Sequence, residues 1–107
     1  MSIEPLTRET ILETLNRHAD EIRRRFAVRQ LGLFGSHLHQ QARPDSDIDI
    51  LVDFETPTFD NYMDLKFYLE TLLGREVDLV MTESVKPRLK PLILAEVQHV
   101  PRLQTLS

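Results

Sequence analysis

No cysteine occurs in the 107-residue chain, which excludes a disulfide scaffold, thiolate chemistry and thiolate zinc sites, and gives no sign of an oxidising compartment. An excess of basic charge is missing too: 13 Lys and Arg stand against 17 Asp and Glu, a formal net charge of -4. That balance opposes the phosphate-backbone attraction by which basic proteins bind nucleic acid without sequence preference, so no such binding is expected. No apolar run approaches the roughly 20 residues needed to span a bilayer, and residues 1–8 lack the basic start and apolar stretch of a secretory leader. The chain therefore reads as cytoplasmic, without a membrane role. Repeats and low-complexity segments are absent, and a second domain of ordinary size has no room, so residues 1–107 are expected to form one domain.

What is present is an alternation of helical and extended patterns. Leu12, Leu15, Ala19, Ile22 and Phe26 recur at steps of three and four, which predicts one N-terminal helix within residues 1–27, capped by Thr7. Arg23, Arg24 and Arg25 gather at its end, where cations favour the helix dipole; capping and solubility are the leading reading, docking of an acidic or phosphorylated partner the second. A strand over 28–34 runs into Gly35-Ser36, and a short helical turn is expected over 37–42. A second strand follows over 47–54, its face of Ile48, Ile50, Val52 and Phe54 apolar and its other face holding Asp47, Asp49, Leu51 and Asp53. Residues 60–73 place Tyr62, Leu65, Leu69, Leu72 and Leu73 at helical spacing before Gly74, a helix terminator. A third strand over 77–81 carries Asp78, Ser84 is a candidate cap for a last helix broken by Pro87 and Pro91, and residues 101–107 read as a frayed tail around a core of 28–97. The expected fold is α/β, a small mixed sheet with helices packed on it.

Residues two apart on a strand share a face at roughly 6.5 to 7 Å, so Asp47 and Asp49 project two like charges in parallel. Such a pair must protonate or find a cation, and hard oxygen ligands favour magnesium or manganese. Asp53, about 13 Å further along, is too distant for the same ion and reads as surface. If the first two strands pair antiparallel, Gly35-Ser36 comes to rest beside Asp47. A glycine followed by a hydroxyl residue lets a phosphate approach the backbone N–H groups and the Ser36 hydroxyl. The helix over 60–73 would make the second and third strands parallel neighbours, bringing Asp78 towards the same cleft. His37 and His39 diverge on a helical turn and read as surface; His18 and His99 carry no signal; Tyr62 and Tyr68 read as core or surface positions of their helix.

Gly35-Ser36, ten residues, then Asp47-Ile48-Asp49 on an apolar strand, with Asp78 in a later Val-Asp-Leu-Val, resembles the minimal nucleotidyltransferases of the DNA polymerase β superfamily. The resemblance is carried by LFGSHLHQQARPDSDIDILV and extends more weakly through LLGREVDLV into KPRLKPLILAEV. It implies a nucleotidyltransferase fold, Mg²⁺ held by Asp47 and Asp49 with Asp78 as the third carboxylate, and ATP held around Gly35 and Ser36. It also implies an antitoxin that transfers AMP from ATP to a tyrosine of a HEPN-domain ribonuclease toxin, silencing it. Leu38, His39 and Gln40 stand where many relatives have a small residue, a basic residue and a glycine, which leaves Arg43 or His39 as the candidate phosphate contact. That departure keeps a second reading open, an antitoxin that neutralises its toxin by stoichiometric binding. Transfer to a small molecule or an RNA end ranks third, because it would need a second subunit to complete the acceptor site.

Overall fold

The computed structural model describes residues 7–35 and 47–104. Four helices, α1 (Arg8–Arg17), α2 (Ala19–Phe26), α3 (Phe59–Leu73) and α4 (Lys90–Glu96), accompany four strands, β1 (Val28–Phe34), β2 (Ile48–Phe54), β3 (Val77–Met81) and β4 (Gln98–His99). The strands form one mixed sheet in the order β3-β2-β1-β4, with β1 antiparallel to β2 and β4, and β2 parallel to β3 through the α3 crossover. The expected fold class and both expected pairings of β2 are present. The short helix expected over 37–42 lies outside the described residues. No described helix is long and apolar enough to cross a membrane.

The N-terminal segment is two helices where the spacing predicts one. Thr7 caps α1, accepting from the Thr10 N–H at 3.2 Å. At His18 the backbone leaves helical geometry (φ -101, ψ 13), while the imidazole Nδ1 lies 2.9 Å from the Thr14 carbonyl oxygen. A side chain that bonds the turn behind it competes with the helix, yet the apolar stripe survives the break: Ile11, Leu15, Ala19, Ile22 and Phe26 are all buried. Ile11, not Leu12, starts that stripe, and Leu12 packs at its edge. The arginines bond both within α2 and to its neighbours. Arg25 pairs with Glu21 at 3.1 Å and lies over the Phe26 and Tyr68 rings, and Arg24 reaches the Asp20 carbonyl.

α3 is capped by Thr58, which accepts from the Asn61 N–H at 3.1 Å, and stops at Gly74 with φ +67. Its stripe of Leu65, Leu69 and Leu73 meets the buried β2 face of Ile48, Ile50, Val52 and Phe54. Tyr62 donates to the Leu79 carbonyl at 2.8 Å and Glu70 accepts from the Val77 N–H at 3.0 Å, so polar bonds tie this helix to β3. Tyr68 packs tilted on Phe26 and donates to Glu21 at 2.8 Å.

The C-terminal third departs most from expectation. Ser84 caps nothing; it closes a 3-10 turn, Thr82–Ser84, and α4 begins only at Lys90, with Pro91 in the first turn, where a missing N–H is harmless. The strand β4 was not anticipated. Leu51, assigned by alternation to the polar face, is 4% exposed, because the α4–β4 segment covers that face: a Cβ on Gly32, the β1 partner of Leu51, would meet Val97 Cγ2 at 2.6 Å. The tail is not frayed over 101–103. Pro101–Leu103 forms a 3-10 turn with Leu103 fully buried, Arg102 bonds Asn16 and Asp20, and Arg23 donates to the Arg102 carbonyl.

Leu103→Ala should therefore lower unfolding free energy by about 2 to 4 kcal/mol, read from urea denaturation; a loss under about 0.5 kcal/mol would return the tail to a frayed segment. Burial and the Glu21 carboxylate push the Tyr68 phenol up to about 12. The fold thus favours the neutral phenol, and its contribution, whole below the ordinary tyrosine value of about 10, is lost as pH rises through the folded value. Urea midpoints should fall more steeply between about pH 9 and about pH 11.5 in the parent than in Tyr68→Phe.

Candidate active site

β1 ends at Phe34 and the chain turns at Gly35, whose φ of +80 lies in the left-handed region. A Cβ there would stand 2.1 Å from Asp49 Oδ2 and 2.9 Å from its Cγ. The Asp49 carboxylate occupies the space a side chain would need, so any other residue would have to displace it and also bear the left-handed backbone that glycine adopts freely. Antiparallel register sets Phe34 opposite Asp49, and parallel register sets Asp78 beside it. Adjacent strands run about 4.8 Å apart and in-register residues share a face, so Asp49 and Asp78 form a neighbouring acidic pair. Asp49 is half-buried and Asp78 exposed.

Asp47 is exposed immediately before β2. Its neighbour Ile48 donates to the Glu76 carbonyl at 3.0 Å, which fastens the entry of β2 to the entry of β3. Asp47, Asp49 and Asp78 therefore belong to the same end of two adjoining strands, and Gly35 closes the cluster from β1. Asp53 stands apart, as expected, 3.8 Å from Arg29. Ser36 and Arg43, the expected phosphate contacts, lie outside the described residues, as do His37, His39 and the Leu38–Gln40 departure.

One neighbour of the turn escaped sequence reasoning. The Gly35 N–H donates to Glu96 Oε1 at 3.3 Å, which places a carboxylate from the end of α4 against the glycine. Only recognition of β4 could have found it, because pairing of Gln98 and His99 with Leu33 and Gly32 draws Glu96 to the end of β1. Further along the same face, Gln30, Leu51, Asp53, Thr82, Leu94 and His99 line a cavity of about 200 Å³. Burial there holds the His99 imidazole below its ordinary range.

Among the described residues, no three Asp, Glu or His side chains converge into a metal cage. Hard divalent ions do not require one: Mg²⁺ typically takes one or two carboxylates and completes its shell with phosphate oxygens and water. The oxygen-only donors Asp47, Asp49 and Asp78, beside a turn at which glycine leaves room for the Asp49 carboxylate, suit an ion shared with a phosphorylated substrate. Without a cation the same mouth repels anions.

Residues 15–100 match the nucleotidyltransferase domain family. The chain is 48% identical over 96 residues to the protein adenylyltransferase MntA of Thermococcus cleftensis, covering 89% of this chain and 97% of that protein. A solved structure described as a candidate minimal nucleotidyltransferase superposes with a TM-score of 0.68 at 37% identity, covering 81% of this chain and 93% of the other. A mutant toxin–antitoxin complex containing MntA superposes with a TM-score of 0.62 at 25% identity, covering 79% and 70% respectively.

Gly35→Ala tests the contact. Positive φ costs an L-residue roughly 1 to 2 kcal/mol, and the methyl must displace the Asp49 carboxylate. The variant should stay folded while binding Mn²⁺ about 10- to 100-fold more weakly by calorimetry; unchanged Mn²⁺ affinity would mean that Asp49 has no part in holding an ion.

Proposed function

The chain belongs to the nucleotidyltransferase domain family, and from that membership we propose that it is an antitoxin that transfers AMP from ATP to a tyrosine of a HEPN-domain ribonuclease toxin. The observation that carries the reading is the register that sets Asp49 beside Asp78 and against Gly35. The relatives add the direction: a protein of nearly the same length is named for adenylyl transfer to proteins, and MntA occurs in a toxin–antitoxin complex.

In this reading Asp47 and Asp49 hold Mg²⁺ with the triphosphate, and Asp78 completes the acidic set on the acceptor side. The metal supplies charge neutralisation at the phosphates and a lowered acceptor pKa. Gly35 gives phosphate oxygens access to backbone N–H groups, and the Ser36 hydroxyl adds a donor. The acceptor tyrosine oxygen bonds the α-phosphorus in line as the bond to pyrophosphate breaks. Asp78 accepts the phenolic proton, and pyrophosphate leaves with the bonding electrons. The protein's contribution is positioning, because both strands that bear the aspartates are anchored by buried residues on their other face.

Incubation with ATP labelled at the α-phosphate, Mg²⁺ and the toxin encoded beside this chain should label the toxin on tyrosine. Asp47→Asn and Asp49→Asn should each reduce labelling by at least about 100-fold with little loss of stability, since both aspartates sit in a like-charged cluster. A folded parent that leaves the toxin unlabelled sinks the proposal. Protection of cells by the Asn variants at normal expression would instead favour neutralisation by stoichiometric binding.

A further inference from the structure

The Gly35 N–H is a donor that a phosphate at this turn would use, and Glu96 Oε1 already accepts from it at 3.3 Å. Glu96 is delivered there by the fold. α4 ends at Glu96, Val97 packs against Gly32, and Gln98 and His99 join β1, so the glutamate stands two residues before the sheet strand. Asp49 presses on the same glycine from β2. With ordinary bond lengths, Asp49 Oδ2 and Glu96 Oε1 both lie within about 5 Å of the Gly35 nitrogen. Two acids from different elements therefore flank one backbone donor.

We infer that Glu96 is a built-in competitor of the triphosphate, a carboxylate that holds the Gly35 N–H in the nucleotide-free protein and must leave it when phosphate oxygens arrive. The inference rests on the transferase reading and deepens it by naming the residue that sets triphosphate affinity. A carboxylate and a phosphate offer the same donor the same chemistry, an anionic oxygen, so they exclude each other in contact and repel each other in charge. α4 is suited to yield. It has seven residues, none of them buried, and a helix so short and so little packed belongs to the least stable part of a fold. Glu96 is also exposed, so solvent screens its charge and its effect on affinity is correspondingly moderate.

Calorimetry with Mg²⁺ present should show Glu96→Gln binding ATP about two- to fivefold more tightly than the parent. AMP, which lacks the phosphates that reach the turn, should bind both chains equally. In the nucleotide-free protein, the Gly35 amide should exchange with solvent severalfold faster in Glu96→Ala, while amides within β2 keep their protection. A merely structural role for Glu96 would alter both nucleotides alike. ATP binding that Glu96→Gln leaves unchanged or weakens, or Gly35 exchange that Glu96→Ala leaves unchanged, overturns the inference. Refusal of ATP by the parent chain itself overturns instead the transferase reading beneath it.

Discussion

Two carboxylates of like charge stand side by side on parallel neighbouring strands, and the rest of the molecule is arranged to keep them there. The register of β2 against β3 pairs Asp49 with Asp78, an unfavourable juxtaposition by charge alone. Strand alternation supplies the counterweight. Ile48 and Ile50 on β2, and Val77 and Leu79 on β3, flank the aspartates and point to the opposite face, where all four are buried. A slip of one residue would send that apolar set into water and the aspartates into the core. The hydrophobic core thus enforces an electrostatic conflict that a divalent cation can resolve.

Much of this was legible in the sequence because it rests on local pattern. The alternation in 48–54 identified the β2 core face, the Leu65, Leu69, Leu73 spacing identified α3, and Gly74 marked its end. A crossover through α3 makes β2 and β3 parallel neighbours, which is what brings Asp78 to Asp49. What escaped depended on tertiary context. The break at His18 is made by one imidazole turning back to a carbonyl, and no periodicity encodes it. β4 is two residues long, too short for alternation to register, and missing it hid three consequences at once: the burial of Leu51, the packing of Leu103 and the arrival of Glu96 at Gly35. The candidate site was legible as a set of aspartates and a glycine brought to one end of the sheet, but the wall beside it was not.

The two halves of the site consequently differ in character. β2 lies inside the sheet with a paired strand on each side, so its aspartates are held by the best-packed part of the fold. α4 reaches the site from a segment whose apolar side chains Leu89, Leu92 and Leu94 remain exposed to solvent over 41 to 67% of their surface. A rigid acidic floor beside a loosely packed wall suits the proposed transfer, in which the groups proposed to hold the ion must not move while substrate enters and product leaves.

Asp78 has a second effect that follows from where β3 lies. Among the described residues β3 is an outer strand of the sheet, and an outer strand invites another chain to extend the sheet by hydrogen bonding. The segment Val77–Met81 is otherwise apolar, and its single carboxylate is the feature that discourages such growth. The charge that belongs to the candidate site therefore also guards colloidal behaviour, keeping an apolar outer strand from pairing with a second chain.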